Sequence, residues 1–208
     1  MASKKKYPSP RYTLGGSLQE YARQCMQDAK SPQHARLIYL NLLAVQAVEC
    51  YLQEIELEVE RECSSSFNPA ARAIGNVADL ATVGFGTLEC RPVMPDQQVA
   101  ILPFEELRPR VGTMLVEIVE ADRCLRILGF TGSRVAKTKT PMREVGPFVP
   151  RTKLEGPQFL KPYLISLQFQ KGSSQVPNPE IAHSDNVALS PNSASSGKPA
   201  ISAVPALG

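Results

Sequence analysis

The chain has 208 residues, of which 43% are hydrophobic and 6% aromatic, with no tryptophan. This length allows one domain with tails, and the hydrophobic content is enough for a buried core. The longest apolar run, Leu37 to Val48, is interrupted by Asn41 and Gln46 and is shorter than the roughly 20 residues of a membrane span. No apolar signal segment follows the N-terminal lysines, so we expect a cytoplasmic protein without a membrane span.

Charge is unevenly distributed along the chain. The overall net charge of +3 is made up of +4 in residues 1–30, −6 in residues 31–130 and +5 in residues 131–208. Basic flanks around an acidic middle are typical of proteins that bind anionic partners. Basic tails also occur simply as solvated, solubilising segments, and both interpretations stay open at this stage.

Two helices are predicted in the first quarter of the chain. Ser17 with Glu20 three residues later matches a capping box, which predicts a helix from Ser17 to about Ala29. Ser31-Pro32 is a second helix start, and apolar residues at three-to-four spacing continue to about Leu52. This second helix is apolar on nearly all sides, which indicates that it is the buried central helix.

The pattern changes after Leu52. Residues 54–60 read Glu-Ile-Glu-Leu-Glu-Val-Glu, so in a strand Ile55, Leu57 and Val59 share one face and the glutamates the other. This alternation predicts a half-buried antiparallel strand. Glutamate also favours helices, so a continued helix is the less favoured alternative.

The remaining elements are shorter. They are a helix from Pro69 to about Gly75, strands at 78–83, 87–91 and 99–102, a helical turn at 103–107, a hairpin of 112–119 with 124–130, and a short or kinked helix within 156–169. The predicted fold class is α+β, with a long buried N-terminal helix packed on a small, mostly antiparallel β-sheet and disordered termini. The predicted parts are a disordered basic N-terminus (1–16), an α+β domain (17–130), a basic, proline-rich extension with a short helix (131–170) and a disordered tail (171–208).

No pattern of catalytic or metal-binding residues is found. The two histidines, His34 and His183, lie far apart, and G-x-S-x-G, phosphate-loop and calcium-loop spacings are absent. Five cysteines without any C-x-x-C predict free thiols. We therefore predict no catalytic residue, no cofactor and no metal site, and we favour a protein that is not an enzyme. We keep an enzyme of an unrecognised type as a third hypothesis, after the interaction module and the nucleic-acid-binding protein described below.

Several blocks of sequence carry a family resemblance. They are Ile38-Tyr39-Leu40-Asn41-Leu42-Leu43-Ala44-Val45, Tyr51-Leu52, Phe67-Asn68-Pro69, Asn76-Val77-Ala78-Asp79-Leu80, Gly86-Thr87-Leu88-Glu89-Cys90-Arg91-Pro92-Val93 and Ile127-Leu128-Gly129-Phe130. Through them the chain resembles a family of uncharacterised, mainly cyanobacterial proteins, the domain of unknown function 1822. The resemblance implies no catalytic residue, and it implies a regulatory setting through signalling and sigma-factor gene neighbourhoods. After Phe130 the chain departs from the family pattern.

We predict a non-enzymatic interaction or regulatory module that binds a protein partner. Glu89 and Arg91 stand at a predicted strand end, where Arg91 is either an interface anchor or part of a weak surface ion pair. Glu56 and Glu58 lie on the acidic strand face, which either attracts a basic partner or is a solvent face. In the basic flank, the candidate binding residues are Arg134, Lys137, Lys139 and Arg143. The alternative function is nucleic-acid binding through the basic flanks.

Overall fold

The computed structural model describes residues 8–101, 110–133 and 148–173. Within these residues the chain is α+β, with helices packed on a mixed, mostly antiparallel sheet, so the predicted fold class is confirmed. The predicted helical turn at 103–107 lies outside the described residues. The same holds for nearly all of the predicted disordered tail and for the first seven residues of the chain.

The described part of the chain contains the α-helices α1 (Gly16–Cys25), α2 (Pro32–Glu54), α3 (Pro69–Ile74) and α4 (Leu160–Ser173). The prediction for the start of α2 is confirmed, because Ser31 Oγ accepts a hydrogen bond from the His34 amide at 3.2 Å. Asn68 caps α3 in the same way. The predicted cap at Ser17 is wrong, since α1 begins at Gly16 and its cap residue, Gly15, has no side chain to offer.

Six strands form the main sheet in the order β1-β7-β6-β4-β3-β2. Their bounds are β1 (Arg11–Thr13), β2 (Val59–Glu60), β3 (Asp79–Thr82), β4 (Gly86–Val93), β6 (Arg110–Val119) and β7 (Cys124–Gly132). All neighbours run antiparallel except β4 and β6, which are parallel. Two further strands, β5 (Val99–Ile101) and β8 (Phe148–Pro150), pair as a separate antiparallel ribbon. Strands β6 and β7 follow each other in the chain and pair antiparallel, which confirms the predicted hairpin.

The core lies between α2 and one face of the main sheet. Buried apolar side chains of β4, β6 and β7, among them Leu88 and Met114, pack with the buried side of α2. Among the described residues, α2 alone has the length and mean hydropathy, 1.2, of a membrane-crossing helix, but 72% of its apolar window is buried inside the fold. Its hydrophobicity is therefore accounted for by packing in the core.

Helix α4 contributes to the same core through Leu160 and Leu164, both fully buried. The sequence predicts a short or kinked helix here because of Pro162, yet α4 spans 14 residues. Pro162 lies in its first turn, where a backbone N–H has no helical partner to lose. The core thus draws on residues beyond position 130, and on Tyr12 in β1 before position 17.

The predicted strand at 54–60 is wrong for all but its last two residues. Helix α2 continues to Glu54, and only Val59–Glu60 pairs with β3. The helix ends in a Schellman motif: the Glu56 amide donates to the Gln53 carbonyl at 3.1 Å, and the Leu57 amide donates to the Leu52 carbonyl at 2.8 Å. Glu56 has φ +57°, the left-handed conformation that this motif requires.

This turn preserves the predicted alternation of buried and exposed side chains without a strand backbone. Leu57 is 6% exposed and joins Leu52 in the core, which is the apolar contact that accompanies a Schellman motif. Glu56 and Glu58 are exposed on either side of it. The sequence pattern therefore reports burial correctly and backbone conformation incorrectly.

We expect Gly129→Ala to lower the free energy of unfolding by more than about 1 kcal/mol. Gly129 has φ +149°, and an added Cβ would collide with the Glu155 carbonyl oxygen. That oxygen accepts a hydrogen bond from the Phe130 amide at 3.0 Å, so it has little freedom to move. Urea denaturation measures the loss. In the control, Gly16→Ala in α1 meets no atom within 4 Å and should leave stability unchanged or raise it.

Candidate interaction groove

An open groove with a volume of about 680 Å³ lies at the C-terminal end of α2. We call it the acidic groove. It is lined by Glu49, Gln53, Glu56, Leu57, Glu58, Val59, Arg61, Glu62 and Val83. Four of these nine residues are glutamates and one is an arginine, so the lining carries a net charge of −3.

The groove forms where the end of α2, strand β2 and the end of β3 come together. Helix α2 supplies one wall, and its Schellman turn reverses the chain so that Glu56 and Glu58 project outward. Strand β2 follows directly, and the Val83 amide donates a hydrogen bond to the Glu58 carbonyl at 3.0 Å, which fixes the end of β3 beside it. Val83 is 41% exposed, so it adds an apolar patch to an otherwise acidic surface.

Arg61 is the one cation among the residues that line the groove, and it forms a salt bridge with Glu49. Its guanidinium donates two hydrogen bonds to the Glu49 carboxylate, from Nε at 2.6 Å and from Nη2 at 2.8 Å. The hydrogen bond to Glu49 raises the pKa of Arg61. The guanidinium also lies 5.1 Å from the centre of the Phe67 ring. These contacts hold Arg61 in place and neutralise Glu49, which is buried.

The remaining acidic groups face solvent. Glu56, Glu58 and Glu62 are exposed, and Lys161 Nζ of α4 lies 3.5 Å from the Glu56 carboxylate. That pair is weak, because the Glu56 side chain is 88% exposed. Five of the nine residues from 54 to 62 are glutamates, so the local potential is negative even with Lys161 nearby.

A smaller cavity of about 450 Å³ adjoins the groove and shares Arg61 and Glu62 with it. Its wall is a loop that β3 holds in place: Asp79 accepts hydrogen bonds from the amides of Ser65 at 3.1 Å and Ser66 at 2.8 Å. Asp79 is buried, so these bonds are shielded from water. The surface beyond Arg61 is therefore rigidly attached to the sheet.

The structure places Glu89 and Arg91 away from any exposed strand end. Strand β4 lies between β3 and β6, and the Glu89 side chain is 0% exposed. Glu89 forms ion pairs with Arg91 and Arg110. Arg91 also donates to the Asn76 side-chain oxygen at 2.9 Å and to its carbonyl at 2.8 Å. The predicted interface anchor is therefore a buried structural ion pair, and burial lowers the pKa of Arg110.

A second buried carboxylate, that of Glu117, is also paired with two arginines. Glu117 of β6 is 1% exposed and pairs with Arg126 of β7 and with Arg151, whose Nη1 lies 2.6 Å from it. Arg151 also donates to the Met94 carbonyl at 2.6 Å. Both carboxylates lie on β strands of the main sheet, and each is held by two arginines. They are inaccessible to a ligand and hold neighbouring segments together.

The four basic-flank candidates, Arg134, Lys137, Lys139 and Arg143, lie outside the described residues. Their binding to a partner or to nucleic acid stays a prediction. Of the acidic candidates, Glu56 and Glu58 come together in the groove. The groove residues that sequence reasoning missed are Glu49, Gln53, Arg61, Glu62 and Val83. A signal for two of them exists, since Glu49 is the single acid inside the apolar part of α2 and Arg61 interrupts the glutamate series.

The lining of the groove consists of charged, polar and apolar side chains that can take part in recognition. Within residues 8–101, 110–133 and 148–173, no group of three or more His, Cys, Asp or Glu side chains is arranged to hold a metal ion. His34 accepts a hydrogen bond from the Lys30 amide through Nδ1, at 3.3 Å, in the first turn of α2. Carboxylates around an apolar floor suit the binding of a basic, partly apolar ligand.

We expect Glu56→Gly to preserve or slightly raise the stability of the protein. Glycine adopts the left-handed conformation without the steric cost of a Cβ, so it fits position 56 better than glutamate does. Thermal unfolding followed by circular dichroism measures the effect, and Glu56→Val is the control, which should destabilise. A clear loss of stability in the glycine variant would contradict the Schellman assignment.

A family model described as a protein of unknown function (DUF1822) matches residues 14–180. A search of the curated proteins finds no match, and a search of the solved structures finds none. The match continues through residues 131–180, so the predicted departure from the family pattern after Phe130 is wrong. It covers α1 to α4, and therefore every residue that lines the acidic groove.

Proposed function

The chain belongs to the family of proteins of unknown function DUF1822, and from its acidic groove we propose that it is a non-enzymatic interaction module that binds a basic segment of a partner protein. The observation that carries the proposal is the groove itself: an open concave surface with exposed carboxylates around Leu57, Val59 and Val83. Complementary charge steers and orients such a partner.

The position of β2 supports this proposal. Among the described strands, β2 is the last at its edge of the main sheet and pairs only with β3. An exposed sheet edge is a common place for an extended segment to bind. Glu58 precedes this two-residue strand and Glu62 follows it after Arg61, whose charge is paired with Glu49. The exposed glutamates discourage pairing with an acidic chain and favour a basic one.

The test uses the full chain and a fluorescein-labelled nona-lysine peptide in an anisotropy titration. The variant Glu56→Gln with Glu58→Gln and Glu62→Gln removes three charges from the groove. The matched control, Glu20→Gln with Asp96→Asn and Asp122→Asn, removes three charges from exposed sites elsewhere. We expect the groove variant to lose at least about tenfold in affinity, equivalent to about 1.4 kcal/mol, and the control variant to lose much less.

The salt dependence of binding provides a second readout. Raising the NaCl concentration from about 0.05 M to about 0.5 M shortens the screening length severalfold and should weaken binding by the wild-type protein. Equal losses of affinity in the two triple variants would mean that the peptide responds to overall charge, and the proposed site would be wrong.

A further inference from the structure

Strand β2 turns the backbone N–H and C=O groups of Val59 away from the main sheet. The Val83 amide donates to the Glu58 carbonyl at 3.0 Å, and the antiparallel register that pairs Val59 with Thr82 places Glu58 opposite Val83. Hydrogen-bonded and non-hydrogen-bonded pairs alternate along an antiparallel ladder. Val59 and Thr82 therefore form a non-hydrogen-bonded pair, and the backbone polar groups of Val59 point toward the free edge of β2.

The contacts of Glu60 agree with this alternation. Its carbonyl oxygen accepts a hydrogen bond from Ser64 Oγ at 2.8 Å, and Ser64 Oγ in turn accepts one from the Ala81 amide at 2.9 Å. Ala81 is the residue of β3 that lies opposite Glu60, so the Glu60 carbonyl is on the β3 side of the strand. Successive carbonyls of a strand point in opposite directions, so the Val59 carbonyl, one residue earlier, faces away from β3.

Two glutamates flank this edge position. Glu58 and Glu60 lie on either side of Val59, and they share one face of the strand because side chains alternate along it. Glu58 is exposed and Glu60 is half-buried, whereas Val59 packs against the core from the other face. A strand added with one residue opposite Val59 would place the two neighbours of that residue opposite the glutamates. Basic side chains on those neighbours would form opposite-charge pairs across the edge.

We propose that the partner segment of the acidic groove binds as an added antiparallel strand on the free edge of β2, with basic side chains at alternate positions. The partner residue opposite Val59 would donate to the Val59 carbonyl and accept from the Val59 amide. Its neighbours, lysine or arginine, would face Glu58 and Glu60. This inference rests on the proposed function and specifies the partner as an extended segment with the pattern basic–apolar–basic.

Charge complementarity selects this occupant over a second copy of the chain. Two β2 strands paired about a two-fold axis at Val59 would place Glu58 of one copy opposite Glu60 of the other. Like charges directly opposite each other destabilise a strand pair. A basic extended segment satisfies both the backbone groups of Val59 and the charges beside them.

The experiment uses a labelled nine-residue peptide of alternating lysine and valine and two isomers of it with backbone N-methyl groups. One isomer is methylated on three valines and the other on three lysines, so the two have the same charge and side chains. In the proposed register the valine amides donate to β2, and the lysine amides point away from it. In an anisotropy titration with the full chain, we expect the valine-methylated isomer to bind at least about tenfold more weakly than the lysine-methylated one.

Val59→Pro tests the same contact from the side of the protein. Proline removes an N–H that does not bond to β3, and an edge strand tolerates such a replacement, so circular dichroism should show a folded protein. The lysine-methylated isomer should bind this variant about tenfold more weakly than it binds the wild type. Val59→Ala keeps the N–H and is the matched control, which should retain the difference between the two isomers.

The outcomes separate the two proposals. If the wild-type protein binds the two methylated isomers equally, or if a folded Val59→Pro variant keeps full affinity, the added strand is wrong. The acidic groove would still stand if neutralising Glu56, Glu58 and Glu62 weakens binding of the unmethylated peptide. If the wild-type protein does not bind the unmethylated peptide, the proposed function and this inference are both wrong. The comparison of the isomers needs no variant, so it is decisive even if Val59→Pro fails to fold.

Discussion

Replacing Glu89 with leucine is expected to lower the free energy of unfolding by about 3–5 kcal/mol, the cost of removing one partner from a buried ion pair. Glu89 is completely buried on a central strand and pairs with Arg91 and Arg110. Leucine fills a similar volume, so the loss comes from two guanidinium groups left in a dry interior without their carboxylate. Urea denaturation of the wild type and the variant measures this difference.

An exposed ion pair provides the control for Glu89. Glu120 pairs with Arg36, and both side chains are more than a third exposed. Glu120→Leu should therefore change the free energy of unfolding by less than about 1 kcal/mol. Similar effects at both positions would mean that Glu89 is hydrated in solution, in contrast to its buried position in the sheet.

Leu57→Asp is expected to unfold the protein. Leu57 is buried against Leu52 directly after the end of α2, and a carboxylate there would have no partner in the apolar core. Glu56→Gln and Glu58→Gln change exposed side chains on either side of it and should each alter stability by no more than about 0.5 kcal/mol. Thermal unfolding followed by circular dichroism separates these outcomes.

The contrast between neighbouring residues is the informative part of this experiment. If Leu57→Asp and Glu58→Gln lowered the melting temperature equally, the alternation of buried and exposed side chains after α2 would be absent. The groove would then lose its apolar floor, because Leu57 supplies part of it.

Local signals predict most of the secondary structure. Ser31-Pro32 and Asn68-Pro69 mark helix starts because their side chains satisfy free backbone amides close in sequence. The β6–β7 hairpin is also a short-range feature, with a brief polar connection between two apolar runs. Such elements depend on interactions within a few residues, and a single sequence contains that information.

Local sequence patterns do not predict which strands pair when they are far apart in the chain. Strands β4 and β6 pair in parallel although 16 residues lie between the end of β4 and the start of β6, and this pairing places Glu89 inside the sheet. The charged sequence around Glu89 and Arg91 suggests a surface because the arginine from β6 that completes the site, Arg110, is distant in sequence. The burial of Glu89 can be recognised only in the folded structure, where Arg91 and Arg110 lie beside it.

The candidate site was partly predictable. Alternation identified Glu56 and Glu58 as exposed acids, since a period of two in burial persists through the Schellman turn. The carboxylate of Glu49 and its partner Arg61 were missed because they are brought together by the chain reversal after α2. The position of Lys161 beside the groove, where it donates a hydrogen bond to the Ile55 carbonyl, was missed because more than 100 residues separate the two.

The most direct measurement of the central claim is the affinity of the labelled basic peptide for the wild-type chain and for the two triple variants. The account predicts at least about tenfold weaker binding when Glu56, Glu58 and Glu62 are neutralised, with near wild-type affinity when Glu20, Asp96 and Asp122 are neutralised instead. Equal affinity of the two variants, or unchanged binding by the groove variant, would contradict the assignment of the acidic groove as the binding site.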